Sequence, residues 1–216
     1  MIPKIIHQTW SDTRLPQQLG EFHLRVRDMN PDCEVRLWTD CDIDKFVRTE
    51  YPKEYAHWCC YGLQIERVDA WRYMVLYRVG GMYLDLDMEP CQQFAPLFDN
   101  DLVLALEHPV DSLAAGRRQT IAQAVMLATP AHPFFGRVIS RLRAFAGGTD
   151  RPLGTTGPAF LTAVYNEAEP PGGMLLGHEA FFPICYGERF KREARGTYAI
   201  HRMAGTWRPH NRLKKS

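Results

Sequence analysis

The chain has 216 residues, 26 Lys+Arg against 25 Asp+Glu, and 45% hydrophobic residues, which fits a globular domain with a sizeable core and excludes collagen, coiled coil and disorder. A formal net charge of +1 gives no ground for sequence-independent binding to nucleic acid, and no run approaches the ~18 apolar residues of a membrane span. The opening MIPKIIHQTW lacks the parts of a signal peptide, so the cytosol is the default address. The six cysteines, with no CxxC among them, read as reduced, mostly packed thiols.

In chain order, residues 2–9 and 33–39 read as strands, separated by a helix over 16–29 that Asn30-Pro31 closes. A short helix is expected over 42–50, ending near Pro52. The strongest helical pattern runs from 63 to 79, with Ile65, Val68, Arg72, Val75, Leu76 and Val79 on one stripe, and stops at Gly80-Gly81. MYLDLDM then reads as a strand, 102–107 as a fully buried strand, 121–129 as strand or helix, and 134–146 as a helix ended by Gly147-Gly148. Residues 109–119 form a polar loop, either a lid or a surface excursion. Alternating strands and helices point to an α/β domain with a largely parallel sheet, whose ligands sit beyond the carboxyl ends of the strands. Without a repeat or a linker, one domain over 1–216 is the simplest count.

No GxxxxGKS/T, GxGxxG, GxSxG or HExxH is present, so phosphate binding would need another device, such as a paired-carboxylate DxD. With 13 Asp in the chain about one DxD is expected by chance, and four occur, so context must sort them. Asp40, Asp42 and Asp44 fail as a calcium loop, because Lys45 and Tyr51 stand where Gly and Glu are needed; helix capping explains them. Asp99 and Asp101 flank a turn. Asp85 and Asp87 instead continue an apolar strand, where alternation sends Tyr83, Asp85 and Asp87 to one face. Two converging carboxylates repel unless a cation or several donors compensate, and a divalent metal does so well. An edge strand with solvated acids is the competing reading.

Asp69, Arg72 and Tyr73 share one face of the preceding helix, and Arg72 falls on its apolar stripe. A guanidinium carried inward needs Asp69, the nearby carboxylates, or a sugar-phosphate ligand as partners; a snorkelling Arg paired to a surface Asp is the plainer alternative. His201, in HRMAGTW, and His210 would by default be ordinary hydrogen-bonded histidines.

Taken together, IPKIIHQTW, RVDAWRYMVLYRVGGMYLDLD, AVMLATPAHPFF, TGPAFLTAVY, FFPI and HRMAGTW resemble glycosyltransferase family 32, the DxD-containing sugar transferases that include yeast outer-chain mannosyltransferases. They are more distantly similar to the catalytic domains of the large clostridial glucosylating toxins. The resemblance covers most of the chain. It implies a GT-A fold, a single Rossmann-like domain that binds a nucleoside-diphosphate sugar and a divalent metal, usually manganese, and retention of anomeric configuration.

Carried over residue by residue, it implies Asp87 as direct metal ligand, Asp85 as a contact to the ribose or to the metal through water, and His201 as the C-terminal metal ligand. Asp69 and Arg72 would hold the donor sugar's hydroxyls. Trp10 would stack on the base, and Thr206 and Trp207 would donate to the diphosphate. Thr9, Tyr83 and Gln123 belong to the same donor-binding set. Gln123 replaces the Asn that many members carry, and Thr206 the usual Ser.

The expected chemistry is hexosyl transfer from a UDP-sugar, with GDP-mannose open, to a glycan or lipid-linked acceptor in glycan or capsular polysaccharide synthesis. The imidazole tilts the metal from Mg²⁺ toward Mn²⁺. No residue stands out as a nucleophile, so direct front-face attack by the acceptor hydroxyl is expected, with donor phosphate as base. A glucosylating effector and a non-catalytic sugar-nucleotide-binding module are the alternatives; a nucleotidyltransferase would need a glycine-rich basic N-terminal loop that is missing. The basic tail RPHNRLKKS suggests at most peripheral contact with the inner face of a membrane.

Overall fold

The computed structural model describes residues 1–142, 154–186 and 196–205. Strand β1 (Ile5–Thr9) leads through helix α1 (Gln17–Met29) to β2 (Glu34–Trp38), which lies parallel to β1 with Ile6 opposite Val35. Asn30 ends α1 with its side chain as well as its backbone: Nδ2 donates to the Val26 carbonyl, and Oδ1 accepts from the Phe94 amide. Two helices follow, α2 (Asp40–Glu50) and α3 (Pro52–Cys59). The residue that caps α2 is Thr39 and not an aspartate. Its hydroxyl accepts from the Asp42 amide while Asp42 accepts from the Thr39 amide, so Asp40 and Asp42 are first-turn acids. Helix α3 begins with Pro52, in the first-turn position that proline favours.

Helix α4 (Gln64–Arg78) is buried from Val68 to Leu76 almost all round, Asp69 and Arg72 included. It gives way to β3 (Gly81–Leu84) through Gly80 and Gly81, both at positive φ. A Cβ on Gly80 would stand 2.7 Å from Pro130, and one on Gly81 2.6 Å from the Ile5 carbonyl, so only glycine lets the strand leave the helix this close to β1.

MYLDLDM is not one strand. β3 ends at Leu84, Leu86 and Asp87 form a turn closed by the Met88 amide on the Asp85 carbonyl, and β4 (Met88–Pro90) begins a separate ribbon. After a single 3-10 turn at Ala95–Asp99 come β5 (Leu102–Leu106), the short helix α5 (Pro109–Ala114) in the stretch expected as a loop, and β6 (Ile121–Ala128). Helices α6 (Pro133–Leu142) and α7 (Pro158–Glu167), strand β7 (Met174–Leu176), a 3-10 turn at His178–Ala180 and β8 (Ala199–His201) complete the described elements. The Gly147-Gly148 stop lies outside the described residues.

The main sheet has the order β2-β1-β3-β6-β5-β7. Three of its five pairings are parallel; β6 alone runs against both neighbours. All eight residues of β6 are buried, which is why IAQAVMLA carries no period that separates strand from helix. One face is covered by α2, α3, α4, α6 and α7, with Trp71, Tyr73, Phe134, Phe135 and Phe160 in the core. The other is covered by α1, the 3-10 turns and the β4-β8 ribbon, through Val26, Met88, Phe94, Phe98 and Phe181.

His7 on β1 is wholly buried, accepts from the Trp38 indole at Nδ1 and bonds the Gly80 carbonyl through Nε2. Burial holds its pKa down to about 4, so the neutral ring locks β1 to the glycine turn. The six cysteines form no disulfide, as expected, yet they are not packed: Cys41, Cys59 and Cys60 are exposed and the other three half-buried.

Candidate active site

β1, β3 and β5 run in one direction and β6 in the other, so Thr9, Asp85, Glu107 and the first residues of β6 gather at one edge of the sheet. β3 lies between β1 and β6, which removes the edge-strand reading of its acids. Asp85 continues pairing for one more bond, its amide donating to the Ala124 carbonyl at 2.9 Å. Asp87 then reaches the same space by the turn, not by strand alternation.

The β4-β8 ribbon brings up the third member. Met88 pairs with His201, and His201 Nε2 stands 3.2 Å from Asp87 Oδ1. Asp85, Asp87 and His201 can each present a ligand atom within 4.8 Å of the others, and their side chains keep 22%, 14% and 18% exposure. Asp87 is held on its far side: Oδ2 accepts from the Ala204 amide at 2.8 Å, and its carbonyl from the Arg202 amide. Burial would lift the Asp87 carboxyl, but His201 and the Ala204 amide outweigh it and hold the carboxyl below its ordinary range. Burial likewise opposes charge on His201; Asp87, Asp85 and Glu107 overcome it and carry the imidazole up to about 9. An imidazole set against acidic groups makes a site that favours positive charge, and a metal ion held there would take the place of the ring's proton. Two carboxylates, one imidazole and an open side form a donor set that fits Mn²⁺ or Mg²⁺.

Arg72 bridges this cluster to a deeper one. Its NH2 lies 3.3 Å from Asp85 Oδ1 and 3.5 Å from Asp69 Oδ1, and its guanidinium stacks 4.6 Å over the Tyr83 ring. It is 7% exposed and Asp69 4%, so the surface-pair alternative does not apply. The Tyr83 hydroxyl donates to Asp85 Oδ1 at 2.5 Å. Burial raises both the Asp69 carboxyl, to about 7, and the Asp85 carboxyl, with Arg72 pulling each back. The buried Nε of Arg72 has no partner among the described residues.

Gln123 forms the floor, its Nε2 donating to the Tyr73 hydroxyl at 2.9 Å and to the Thr156 carbonyl at 3.1 Å, and lying 3.4 Å from the Asp69 carbonyl. The Thr156 hydroxyl reaches Asp69 Oδ2 at 3.4 Å. A bulge aims Gln123: Leu104 pairs with Met126 but Leu106 with Ile121, so two steps along β5 meet five along β6. Thr9 and Trp10 close β1, Thr9 beside the Tyr83 hydroxyl and Trp10 donating its amide to the Trp38 carbonyl. Thr206, Trp207 and His210 lie outside the described residues.

Sequence reasoning passed over Glu107 and Thr156. Glu107 follows β5 and interacts with His201, and burial pushes its carboxyl up to about 7. Its only signal was an acid at the end of a buried strand; Thr156 opens the motif TGPAFLTAVY, but nothing in the spacing put it beside Gln123, 33 residues back.

Residues 16–104 match the family described as glycosyltransferase sugar-binding region containing DXD motif. The chain is 33% identical to inositol phosphoceramide mannosyltransferase 3 of Schizosaccharomyces pombe, covering 94% of this chain and 60% of that one. It is 34% identical to mannosyl phosphorylinositol ceramide synthase CSH1 of Saccharomyces cerevisiae, covering 87% and 52%. It thus spans little more than half the length of these relatives. It is also 32% identical to the uncharacterized glycosyltransferase L373 of Acanthamoeba polyphaga mimivirus, over the whole of this chain and 87% of the other.

Among solved structures, the PaToxG glycosyltransferase superposes with a TM-score of 0.62 at 16% identity over 78% of this chain and 70% of its own. Mouse xyloside xylosyltransferase 1 superposes with a TM-score of 0.52 at 13% identity over 94% and 98%. These likenesses identify the α/β architecture as a GT-A fold. The described helices include none long and apolar enough to cross a membrane. By sequence match and by fold, the chain belongs to the DXD-containing glycosyltransferases of the family-32 type.

Proposed function

We propose that residues 1–216 act as one domain, a metal-dependent retaining hexosyltransferase that moves a sugar from a nucleoside diphosphate to a hydroxyl on a glycan or lipid-linked acceptor. The observation that carries this reading is the meeting of Asp85, Asp87 and His201 within 4.8 Å, joined through Arg72 to Asp69. The names of the relatives, mannosyltransferases of an inositol phosphoceramide, favour mannose and hence GDP-mannose over a UDP-sugar, and a lipid-linked inositol acceptor.

In this reading Asp87, Asp85 and His201 hold Mn²⁺, with Mg²⁺ as the substitute. When bound, the metal neutralises charge that builds on the departing diphosphate. The Ala204 amide fixes one Asp87 oxygen, so the carboxylate keeps its orientation as the ligand enters. Arg72 offers its unpartnered Nε to a sugar hydroxyl while its NH2 stays with the carboxylates, and Asp69, held by Thr156, accepts from a neighbouring hydroxyl. The Gln123 floor excludes water beneath the sugar and sets how deep it sits. Thr9 and Trp10 face the base, and Thr206 and Trp207 serve the diphosphate. With no side chain assigned as nucleophile, the acceptor hydroxyl attacks on the leaving-group face and the donor phosphate takes its proton.

Hydrolysis of a panel of GDP- and UDP-sugars, with Mn²⁺, Mg²⁺ or EDTA, tests this. Release of one nucleotide that requires Mn²⁺ names the donor. Binding without hydrolysis would leave a sugar-nucleotide-binding module or an enzyme that turns over only with its acceptor, the absence of both would refute the donor reading, and trapping a sugar covalently on the chain would refute front-face attack.

A further inference from the structure

Among the described residues, the segment beside the site mouth presents an apolar face that nothing covers. Helix α5 starts two residues after Glu107, which interacts with His201, and its inner side is fixed by the buried Ser112. On the opposite side, Val110 and Leu113 stand at i and i+3, 54% and 66% exposed. Tyr186, 52% exposed, is held against the same helix, its amide donating to both carboxylate oxygens of Asp111 at 3.0 and 3.1 Å. Only four other large apolar side chains are exposed in the described residues: Met1, Leu24, Leu63 and Met174.

Charge on this segment is one-sided. Asp111 is its only acid and is already engaged by the Tyr186 amide, whereas Arg118 is exposed and Arg117 half-exposed just past the end of the helix. An apolar pair rimmed by arginines suits the boundary between headgroups and acyl chains of an anionic bilayer, where each basic residue adds attraction and each buried methylene adds more.

We propose that α5, through Val110, Leu113 and Arg118, docks the protein on an anionic membrane surface and so presents the site mouth to acceptors embedded there. This rests on the lipid-linked acceptor reading above, but it concerns a surface that none of the donor-site residues occupies.

The test is sedimentation of the full-length protein with vesicles of phosphatidylcholine alone or with added phosphatidylinositol. Binding is expected to the anionic vesicles, weakened about tenfold in Leu113→Asp and about fivefold in Arg118→Gln, with melting temperature and hydrolysis of soluble nucleotide sugar unchanged. Absence of binding by the unaltered protein, equal binding to neutral vesicles, or binding that survives both substitutions overturns the proposal. A concentration-dependent dimer abolished by Leu113→Asp also overturns it, by assigning the face to a second copy. Failure of the donor reading would show separately, as absent hydrolysis in a protein that still sediments with vesicles.

Discussion

Residues 40–44 and residues 85–87 both carry Asp-x-Asp, and the two regions do opposite things with it. At Asp40–Asp44 the carboxylates begin a helix on the surface: Asp42 completes a capping box with Thr39, and Asp44 pairs with Arg48 four residues on and accepts from the Tyr55 hydroxyl. Asp42 and Asp44 find their partners within 11 residues of chain, while Asp40 interacts with Gln64 at the start of α4. At Asp85–Asp87 the Tyr83 hydroxyl is the local partner, and the compensating charge comes from farther off: Arg72 from the preceding helix, His201, with the Ala204 amide, from more than 110 residues away. Local partners make a cap, and distant partners make a site with a ligand's place left in it. What separates the two is the origin of the compensating charge, not the motif.

The sharpest break in this contrast would come from Asp87→Ala. Turnover is expected to fall on the order of a thousandfold with the circular dichroism spectrum retained; near-normal turnover would remove Asp87 from the chemistry. Next in size, Arg72→Gln strands Asp69 and part of Asp85, and should lower stability by roughly 3 kcal/mol in denaturant unfolding. An unchanged midpoint would mean that the guanidinium is not what balances those acids. Saturating Mn²⁺ should add about 2 kcal/mol to the thermal stability of the parent protein and of Asp42→Ala, and none to Asp87→Ala. A shift retained in Asp87→Ala places the ion elsewhere. The smallest effect belongs to the surface acid: Asp42→Ala loses the cap, about 1 kcal/mol, and leaves turnover alone. A loss of activity in that variant would erase the contrast.

The sequence carries most of the framework in a legible form because periodicity and punctuation are local. Asn30-Pro31, the stripe from Ile65 to Val79 and Gly80-Gly81 mark α1, α4 and the turn into β3 within a residue or two. Asp69, Arg72, Asp85, Asp87 and His201 lie together, although a turn and not strand alternation brings Asp87 to Asp85, and only the family resemblance pointed to His201. What stayed hidden depends on pairings between distant strands. The Leu86-Asp87 turn exists because β4 leaves the main sheet to pair with β8, so a run that alternates like one strand is broken by a partner far along the chain. The bulge that aims Gln123 and the approach of Thr156 arise in the same way. Helix α5, at six residues, is too short to show a helical period.

The β4-β8 ribbon also ties together two distant stretches of chain. It has three residues on each strand and joins Asp87 to His201 across 114 positions of chain, so closing it pays a large loop entropy for few bonds. The pairings of the main sheet do not run through it, whereas the meeting of Asp87 with His201 does. An ion shared by Asp87 and His201 would serve as a reversible cross-link over that span. Slower amide exchange at Ile200 and His201 on adding Mn²⁺, with β1 and β6 unaffected, is the expected signature; uniform slowing would mean that the ribbon opens only with the whole sheet.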